Sequence, residues 1–341
     1  MGSVKDLQIL EFPKKDKAGI ANFKFSDRYS VFDWGEMPDH IPNKGKALCI
    51  IGAFFFEKLE EMGKKTHYLG VIENNEVKKL KDVENTVDTM HVKLVQVIKP
   101  ELKDGKYNYS EFKNITGNFL IPLEVIYRNS LPGGSSIFKR LKNGSLSLTE
   151  IGLIKMPEAN DILENPILDC STKLEVIDRY LSWEEAKQIS ALSDDELNKL
   201  KNTILEINNL ISRHCSEIGL SNEDGKAEFA FDEQRNLMVV DVLGTPDECR
   251  FNYQGMQVSK EVTRIYYRKT DWFKEIENSK KQDPINWKEL VKNPPPHLPP
   301  RFLELVTQIY QSFCNEITGV KWFASPPLEE VLKKVKVELE I

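Results

Sequence analysis

Residues 226–250, KAEFAFDEQRNLMVVDVLGTPDECR, contain two short apolar runs on either side of a polar turn. This pattern predicts a β-hairpin, because short apolar runs bounded by turn residues form paired strands. Each run carries one carboxylate, Glu228 in the first and Asp241 in the second. Both lie equally far from the midpoint between Gln234 and Arg235, so an even-length loop centred there would place them opposite each other. Opposed carboxylates are destabilising unless a cation lies between them, and oxygen ligands suit Mg²⁺.

The first of these strands also predicts a polar surface. Asp224, Lys226 and Glu228 are spaced by two residues, so on a strand their side chains share one face. A face of acid, base and acid is typical of the wall of a polar cleft, and equally of a solvated sheet edge. The spacing alone favours neither interpretation.

The rest of the chain predicts strands that alternate with helices. Residues 1–33 read as a hairpin, and residues 46–63, KALCIIGAFFFEKLEEMG, as a helix closed by a glycine. Further strands are predicted at 67–73, 91–102 and 118–129. Pro122 lies inside the last of these and predicts an edge strand or a bend. The alternation indicates an α/β or α+β architecture.

Helix starts are marked by capping residues in the second half of the chain. Ser182 with Glu185, and Ser193 with Glu196, have the spacing of capping boxes. The helix after Ser193 carries an apolar stripe at helical spacing, which predicts one buried face. A proline-rich linker precedes a last long helix, and residues 325–341 form a charged amphipathic tail that could dock on the body or on a second subunit.

Composition excludes several classes of function. The formal net charge of −6 gives no general electrostatic support for a nucleic-acid partner. The five cysteines include no Cys-x-x-Cys pair and the five histidines no His-x-x-x-His pair, which predicts reduced thiols and no zinc site. The longest apolar run, 47–56, is about half of a membrane span, and no signal peptide opens the chain. We therefore expect a cytoplasmic protein with no membrane partner.

One loop is suited to an anion. RNSLPGGSS (128–136) places Arg128 before a turn of two glycines and two serines, Ser135 and Ser136. Backbone N–H groups in such turns form anion-binding nests, and arginine adds a bidentate fork. Loops of glycine and serine are also common where nothing binds.

Taken in order, these segments resemble the SAICAR synthetase (phosphoribosylaminoimidazole-succinocarboxamide synthase) family of purine biosynthesis. The segments that carry the resemblance are GSVKDL, SDRYSVFDWGEMPDHIPNKGKAL, IPLEVIYRNSLPGGSS, STKLEVID, DGKAEFAFD, VDVLGTPDECRF, SKEVTR and ITGVKW. They run from residue 2 to about residue 322, in the order of the family's motifs.

The resemblance implies a fold and a reaction. The fold would have an N-terminal antiparallel β domain (1–122), a larger ATP-grasp-like α/β domain (123–324) with ATP between the two, and a tail (325–341). The reaction would join L-aspartate to the carboxylate of a phosphoribosylated aminoimidazole, with ATP and Mg²⁺, through an acyl phosphate. A homodimer is compatible with the apolar segment and the tail.

The resemblance also implies roles for individual residues. The metal ligands would be Glu228 and Asp241. Residues at the nucleotide would be Gly2, Lys5, Ile121, Glu124, Val125, Lys173, Glu228 and Asp241. Residues at the ribotide or L-aspartate would be Ser30, Asp33, Arg128, Ser135, Ser136, Asp247, Arg250, Lys260 and Arg264. Residues at the reacting carboxylate would be Asp224 and Lys226, with Asp178 as a possible proton acceptor.

The sequence departs from the family pattern at five positions. They are Ser3 for lysine, Ile177 for histidine, Ala230 for glycine, Val242 for glutamate and Ser259 for aspartate. The departures are compatible with a divergent branch of the same activity, or with a paralogue that ligates another amino acid. Ser3 and Val242 are also compatible with a non-catalytic nucleotide-binding paralogue, and an ATP-dependent small-molecule kinase is a further alternative because similar folds transfer phosphate to hydroxyls.

Overall fold

The computed structural model of the chain describes residues 5–340, and two antiparallel sheets dominate that part. The first sheet contains β1 (Lys5–Glu11), β2 (Gly19–Phe25), β3 (Tyr68–Glu73), β4 (Glu76–Lys78) and β5 (Thr89–Leu94). A small hairpin follows, β6 (Glu101–Lys103) and β7 (Lys106–Asn108). The second sheet contains β8 (Phe119–Leu131), β9 (Asp161–Thr172), β10 (Ser221–Phe231), β11 (Leu237–Val240), β12 (Cys249–Tyr253) and β13 (Met256–Gln257).

Helices cover and connect the sheets. They are α1 (Lys44–Glu61), α2 (Ser136–Lys142), α3 (Trp183–Ser190), α4 (Asp194–Glu217), α5 (Glu261–Arg268), α6 (Asp271–Gln282), α7 (Trp287–Leu290), α8 (Pro300–Thr318) and α9 (Leu328–Leu339). One large cluster of buried apolar side chains runs through both sheets and their helices. The α+β architecture therefore has a continuous core.

The first sheet has the order β1-β2-β5-β3-β4 and packs on α1. The predicted N-terminal hairpin and the predicted helix are both present, and the helix begins two residues earlier than expected, at Lys44. Helix α1 is apolar nearly all round because it lies between this sheet and α8. Within residues 5–340 no helix is long and apolar enough to cross a membrane.

The second sheet has the order β13-β12-β10-β8-β9, and β11 pairs with the far end of β10. Strand β8 pairs on both sides, so the expectation of an edge strand at Pro122 is wrong, whereas the expected bend is present. The register against β10 shifts between the pairs Glu228–Glu124 and Ala230–Leu120, and Pro122 lies in that bulge. Proline has no N–H for the ladder, and a bulge removes the need for one.

The hairpin of β10 and β11 has an odd-length turn. Glu228 pairs with Val240, and residues 232–236 form a five-residue loop. The side chain of Asp232 accepts hydrogen bonds of 2.7 and 3.0 Å from two backbone N–H groups of that loop, which stabilises this length. The prediction that Glu228 lies directly opposite Asp241 is therefore wrong by one residue. Asp241 follows the end of β11 and has a positive φ of 70°.

One of the two predicted capping boxes is complete, and at α3 only the serine half forms, because the Glu185 side chain pairs with Arg179 at 2.7 Å. Ser193 and Glu196 form the full capping box at α4, and at α3 the Ser182 hydroxyl accepts from the backbone N–H of Glu185 at 3.2 Å. The apolar stripe of α4 is buried against β8 and β10, as its spacing predicted. These helices support the back of the second sheet.

The C-terminal tail docks on the body of the same chain. Helix α9 packs on α8 through its apolar face. Glu329 at its start accepts a hydrogen bond from the Tyr253 hydroxyl at 3.1 Å, and the Leu339 carbonyl oxygen at its end accepts one from Lys269 at 2.6 Å. The tail therefore fixes β12 and the end of α5, two elements that border the site described next.

Candidate active site

A cleft of about 410 Å³, called here the basic cleft, lies between β8, β10, the loop 246–250 and helix α5. Its basic side chains outnumber its acidic ones. The basic ones are Arg128, Lys226, Arg250, Lys260, Arg264, Arg268 and Lys280, and the acidic ones are Asp33, Asp224, Asp247, Glu248 and Glu261. Such a surface is suited to a small anion that carries several charged groups.

Many of the residues expected at a substrate meet in this cleft although they are far apart in sequence. Those that line it are Asp33, Arg128, Asp224, Lys226, Asp247, Arg250, Lys260 and Arg264. The interpretation that Asp224 and Lys226 lie on a solvated sheet edge is wrong, because β10 is an interior strand and Asp224 is buried.

Arg128 is the most deeply buried of these cations, with 3% of its side chain exposed. Its guanidinium lies 3.3 Å from Asp169 and 3.5 Å from Asp224. Arg250 approaches Asp224 with two nitrogens, at 2.9 and 2.7 Å. The carboxylate of Asp224 thus holds both arginines at the same wall of the cleft.

The two serines of the glycine-serine turn have different surroundings. Ser135 is the N-cap of α2, and its hydroxyl accepts from the backbone N–H of Ile137 at 3.4 Å. Ser136 lies one residue further, and its hydroxyl accepts from Arg128 at 3.3 Å. Of the two, Ser136 is therefore the serine that shares its surroundings with the cleft arginine.

A chain of ion pairs leads from the basic cleft to the hairpin carboxylates. Lys226 donates to Oε1 of Glu124 at 2.9 Å, and Lys173 donates to the same oxygen at 3.0 Å. Lys173 also lies 2.7 Å from Oε1 of Glu228, and Lys226 lies 3.2 Å from Oε2 of Glu248. Strands β8 and β10 contribute Glu124, Lys226 and Glu228 to this chain, and Lys173 directly follows β9, so the second sheet fixes its geometry.

Glu228 and Asp241, called here the acid pair, interact although they are not directly paired in the ladder. Burial and then repulsion from Asp241 raise the pKa of Glu228 to about 7. Burial also opposes ionisation of Asp241, but its ion pair with Lys5, helped by Lys173, lowers the pKa of Asp241 to about 2. Ionisation of both members of the acid pair is therefore opposed by burial, and Glu228 is affected more than Asp241.

The acid pair offers the oxygen donors that Mg²⁺ prefers. Among residues 5–340, no group of three or more His, Cys, Asp or Glu side chains is arranged to hold a metal by itself. A divalent ion held here would need further oxygens from a bound molecule, which is the usual situation for Mg²⁺ with phosphates.

Of the remaining predicted residues, Asp178 and Ser30 do not line the basic cleft, whereas Asp33 does. Asp178 is exposed on the loop after β9, and partial desolvation with repulsion from Glu124 raises its pKa. Asp33 is exposed, has a φ of 63°, and pairs with Lys280 at 3.3 Å. The Ser30 hydroxyl accepts a hydrogen bond of 3.3 Å from the Gly35 backbone, which supports the turn that carries Asp33.

Ile121 and Val125 were expected beside a nucleotide. Their side chains are fully buried in the main core, so only their backbone groups can face a ligand. The opposite face of β8 contributes Leu120 to a separate apolar cluster with Val95, Ala230, Met238 and Val240. This cluster adjoins the acid pair along both strands of the hairpin. Gly2 and the departure at Ser3 lie outside the described residues.

Sequence reasoning missed four charged residues that line the cleft, Glu248, Glu261, Arg268 and Lys280, and also missed Lys44, which lies behind it. Lys44 is fully buried, lies 2.7 Å from Oδ2 of Asp247 and donates to the Arg28 carbonyl oxygen at 3.1 Å. Its only sequence signal was a lysine before a glycine at the start of an apolar helix. Glu248, which lines the cleft beside Lys226, follows Asp247 in sequence and carried no separate signal.

Comparison with known families and proteins gives a consistent result. A family model described as SAICAR synthetase matches residues 2–282. A protein of Archaeoglobus fulgidus, named provisionally as a phosphoribosylaminoimidazole-succinocarboxamide synthase, is 54% identical over 340 residues and covers 100% of both chains. The synthase of Thermoplasma volcanium is 32% identical over 328 residues, covering 94% of this chain and 98% of its own.

Solved structures show the same fold. A SAICAR synthase from Saccharomyces cerevisiae, complexed with SAICAR, has a TM-score of 0.63 and 22% identity, covering 94% of each chain. A SAICAR synthetase in complex with ADP has a TM-score of 0.59 and 22% identity, covering 94% of this chain and 97% of its own. These likenesses confirm the predicted fold class.

Proposed function

The chain belongs to the SAICAR synthetase family, and from that premise we propose how the residues of its cleft divide the family's reaction among them. The enzyme is an ATP-dependent ligase of purine biosynthesis. It joins L-aspartate to the carboxylate of a phosphoribosylated aminoimidazole, called here the ribotide, and forms SAICAR, ADP and phosphate. The family resemblance of the sequence motifs is confirmed.

We propose that the basic cleft is the ribotide site. The observation that carries this proposal is the position of Arg128, whose buried Nε has no hydrogen-bond partner among the described residues. A buried N–H without a partner is unfavourable, and a phosphate oxygen would satisfy it. Ser136 beside Arg128, with Lys260 and Arg264 across the cleft, would complete the surroundings of the phosphate.

We propose that the nucleotide binds at the acid pair, next to Lys5 and Lys173. Glu228 and Asp241 would hold Mg²⁺, which when bound would neutralise the ATP phosphates. The chemistry of the donors supports this assignment, because burial and repulsion from Asp241 outweigh the attraction of Lys173 and Lys226 at Glu228, and a bound cation would relieve both. The apolar cluster that contains Leu120 and Val240 would accommodate the adenine base.

The reacting groups would meet at Lys226, between the two sites. A carboxylate is a poor electrophile, so the ribotide carboxylate would first attack the γ-phosphoryl group and form an acyl phosphate. The L-aspartate amine would then displace phosphate. Lys226 would stabilise the negative charge in both steps, and Asp224 would hold Arg250 beside it.

The amine must lose a proton before it can attack. Asp178 lies close enough to Glu124, Lys173 and Lys226 for their charges to affect its pKa, and its raised pKa makes it a better proton acceptor than an ordinary aspartate. We propose Asp178 for this role. Its position on an exposed loop would allow the proton to pass to solvent.

The division into residues 1–122, 123–324 and 325–341 is part of the same proposal. The boundary at 122 would coincide with the Pro122 bulge in β8. At a bulge a strand can bend while the residues before and after it keep their hydrogen bonds to the neighbouring strand. A homodimer and a cytoplasmic location stay predictions.

A coupled assay of ADP release tests the proposed function. We expect ADP only when the ribotide and L-aspartate are both present, and little with L-glutamate or L-alanine. A small-molecule kinase would release ADP without any amino acid. A non-catalytic paralogue would bind ATP without turnover, and a ligase for another amino acid would respond to a different amine.

A further inference from the structure

The carboxylate of Asp247 is held from two sides by groups that do not line the basic cleft. The hydroxyl of Tyr310 on α8 donates to Oδ1 at 2.7 Å, and Lys44 at the start of α1 lies 2.7 Å from Oδ2. Both clamping side chains are fully buried, whereas Asp247 itself lines the cleft. Two segments far apart in sequence therefore fix one cleft carboxylate.

Tyr310 lies outside the part of the chain that the family model matches, yet it contacts a carboxylate of the cleft. The family model ends at residue 282, whereas Tyr310 lies in α8, which packs on α1. The ring of Tyr310 also faces the ammonium group of Lys44, 5.5 Å from the ring centroid. The two clamping groups thus support each other as well as the carboxylate.

The protonation states fit a hydrogen bond from phenol to carboxylate. Burial raises the pKa of Tyr310 well above its usual value, so the hydroxyl keeps its proton and donates it. Burial opposes ionisation of Asp247, but Lys44 and Lys260 outweigh it and lower the pKa of that carboxyl. A neutral donor and a charged acceptor give one of the stronger classes of hydrogen bond.

We propose that Tyr310 and Lys44 are positioning residues for the ribotide site and act through Asp247. Lys260, the second cation near Asp247, lines the cleft where the ribotide phosphate would bind. A carboxylate released from Tyr310 would turn toward Lys260 and compete with the phosphate for it. The clamp therefore keeps Asp247 in place and Lys260 available. The inference rests on the proposed ribotide role of the basic cleft.

The test is Tyr310→Phe, which removes one hydroxyl from the core. We expect the KM for the ribotide to rise by about tenfold, as for loss of a hydrogen bond to a charged group, while the KM for ATP stays within about twofold. Tyr68→Phe is the matched control. Tyr68 is also buried and donates to a carboxylate, Glu57, at 2.7 Å, but it lies outside the cleft. Thermal unfolding of both variants separates loss of stability from loss of positioning.

Coupling to Asp247 decides whether Tyr310 acts through that residue. In an Asp247→Asn background, Tyr310→Phe should change the ribotide KM by less than about threefold. An undiminished effect there, an unchanged ribotide KM in Tyr310→Phe alone, or an equal effect of Tyr68→Phe would overturn the inference. If Tyr310→Phe does not fold, Lys44→Met takes its place. We expect the same selective rise in the ribotide KM, and an unchanged KM would contradict the clamp.

The same experiment separates this inference from the proposed function. If Asp247→Asn alone leaves the ribotide KM unchanged, the ribotide role of Asp247 fails. If Asp247→Asn raises that KM and Tyr310→Phe does not, only the clamp is wrong.

Discussion

Lys226 donates a hydrogen bond of 2.9 Å to Oε1 of Glu124, the same oxygen that accepts a bond of 3.0 Å from Lys173. Lys226 lines the proposed ribotide site, and Lys173 contacts the acid pair at the proposed nucleotide site. One carboxylate on the interior strand β8 therefore sets the distance between the cations of the two sites. Glu124 was expected beside the nucleotide, and its side chain lies between the two proposed substrate sites.

Replacing Glu124 tests this link. Glu124→Gln keeps the shape but removes the charge that holds both lysines, so we expect kcat/KM to fall about tenfold to a hundredfold for ATP and for the ribotide alike. Steady-state ADP release measures both values. Glu73→Gln is the control, because Glu73 is also buried and paired with a lysine, Lys78 at 2.8 Å, but lies in the first sheet. Loss for one substrate only would contradict a shared role.

Removing one member of the acid pair tests the metal site. In Asp241→Asn we expect turnover to fall on the order of a hundredfold or more at every Mg²⁺ concentration, because an amide binds a hard cation more weakly than a carboxylate. Urea unfolding measures stability separately, because the amide loses the ion pair with Lys5 and also the repulsion of Glu228. Asp39→Asn is a control outside the cleft, where Asp39 accepts a backbone hydrogen bond of 2.8 Å from Leu298. Retained turnover would remove Asp241 from the metal role.

The hairpin shows how far the sequence alone can specify this site. The strands, their acids and the convergence of those acids follow from the apolar pattern and the resemblance. The register does not, because it depends on whether the turn has an even or an odd number of residues. Asp232 decides that number by accepting from two backbone N–H groups of the loop, and several different turns were compatible with the same residues.

Contacts between distant segments were beyond the reach of sequence patterns. Lys44 precedes an apolar helix, where a lysine is usually solvated, and only the fold brings it to Asp247 about two hundred positions later. The side chains of Ile121 and Val125 show the converse case. Their strand was predicted correctly, but β-strand alternation places one face in the core and the other toward the apolar cluster, and the pattern alone did not say which.

The raised pKa of Glu228 predicts an unusual dependence of stability on pH. The pKa is about 7 in the folded protein and about 4.3 in an unfolded chain, so the folded state binds this proton more tightly. That contribution to stability is fully present below the unfolded pKa and is lost as pH rises through about 7. The free energy of unfolding of Glu228→Gln minus that of the wild type should therefore increase as the pH rises from 5.5 to 8. We expect an increase on the order of 1–3 kcal/mol.

Urea unfolding at the two pH values, without nucleotide or Mg²⁺, measures this gain. Glu73→Gln is again the matched control, because the hydrogen bond from Lys78 is the main cause that lowers the pKa of Glu73 to about 2. Its contribution to stability is present above the unfolded pKa and is lost only as pH falls toward 2, so this variant should lose stability equally at both pH values. A pH-independent effect of Glu228→Gln would contradict the shift.

The adjacent serines of the glycine-serine turn should respond differently to the same change. Ser136→Ala removes the hydroxyl that accepts from Arg128 at 3.3 Å, so we expect the ribotide KM to rise about threefold to tenfold with unchanged stability. Ser135→Ala removes the N-cap of α2 and should lower the free energy of unfolding by about 1 kcal/mol, with a smaller effect on KM. ADP-release kinetics and urea unfolding of both variants measure the two effects. The reverse pattern would assign the phosphate to Ser135 and would show that the turn rearranges when the ribotide binds.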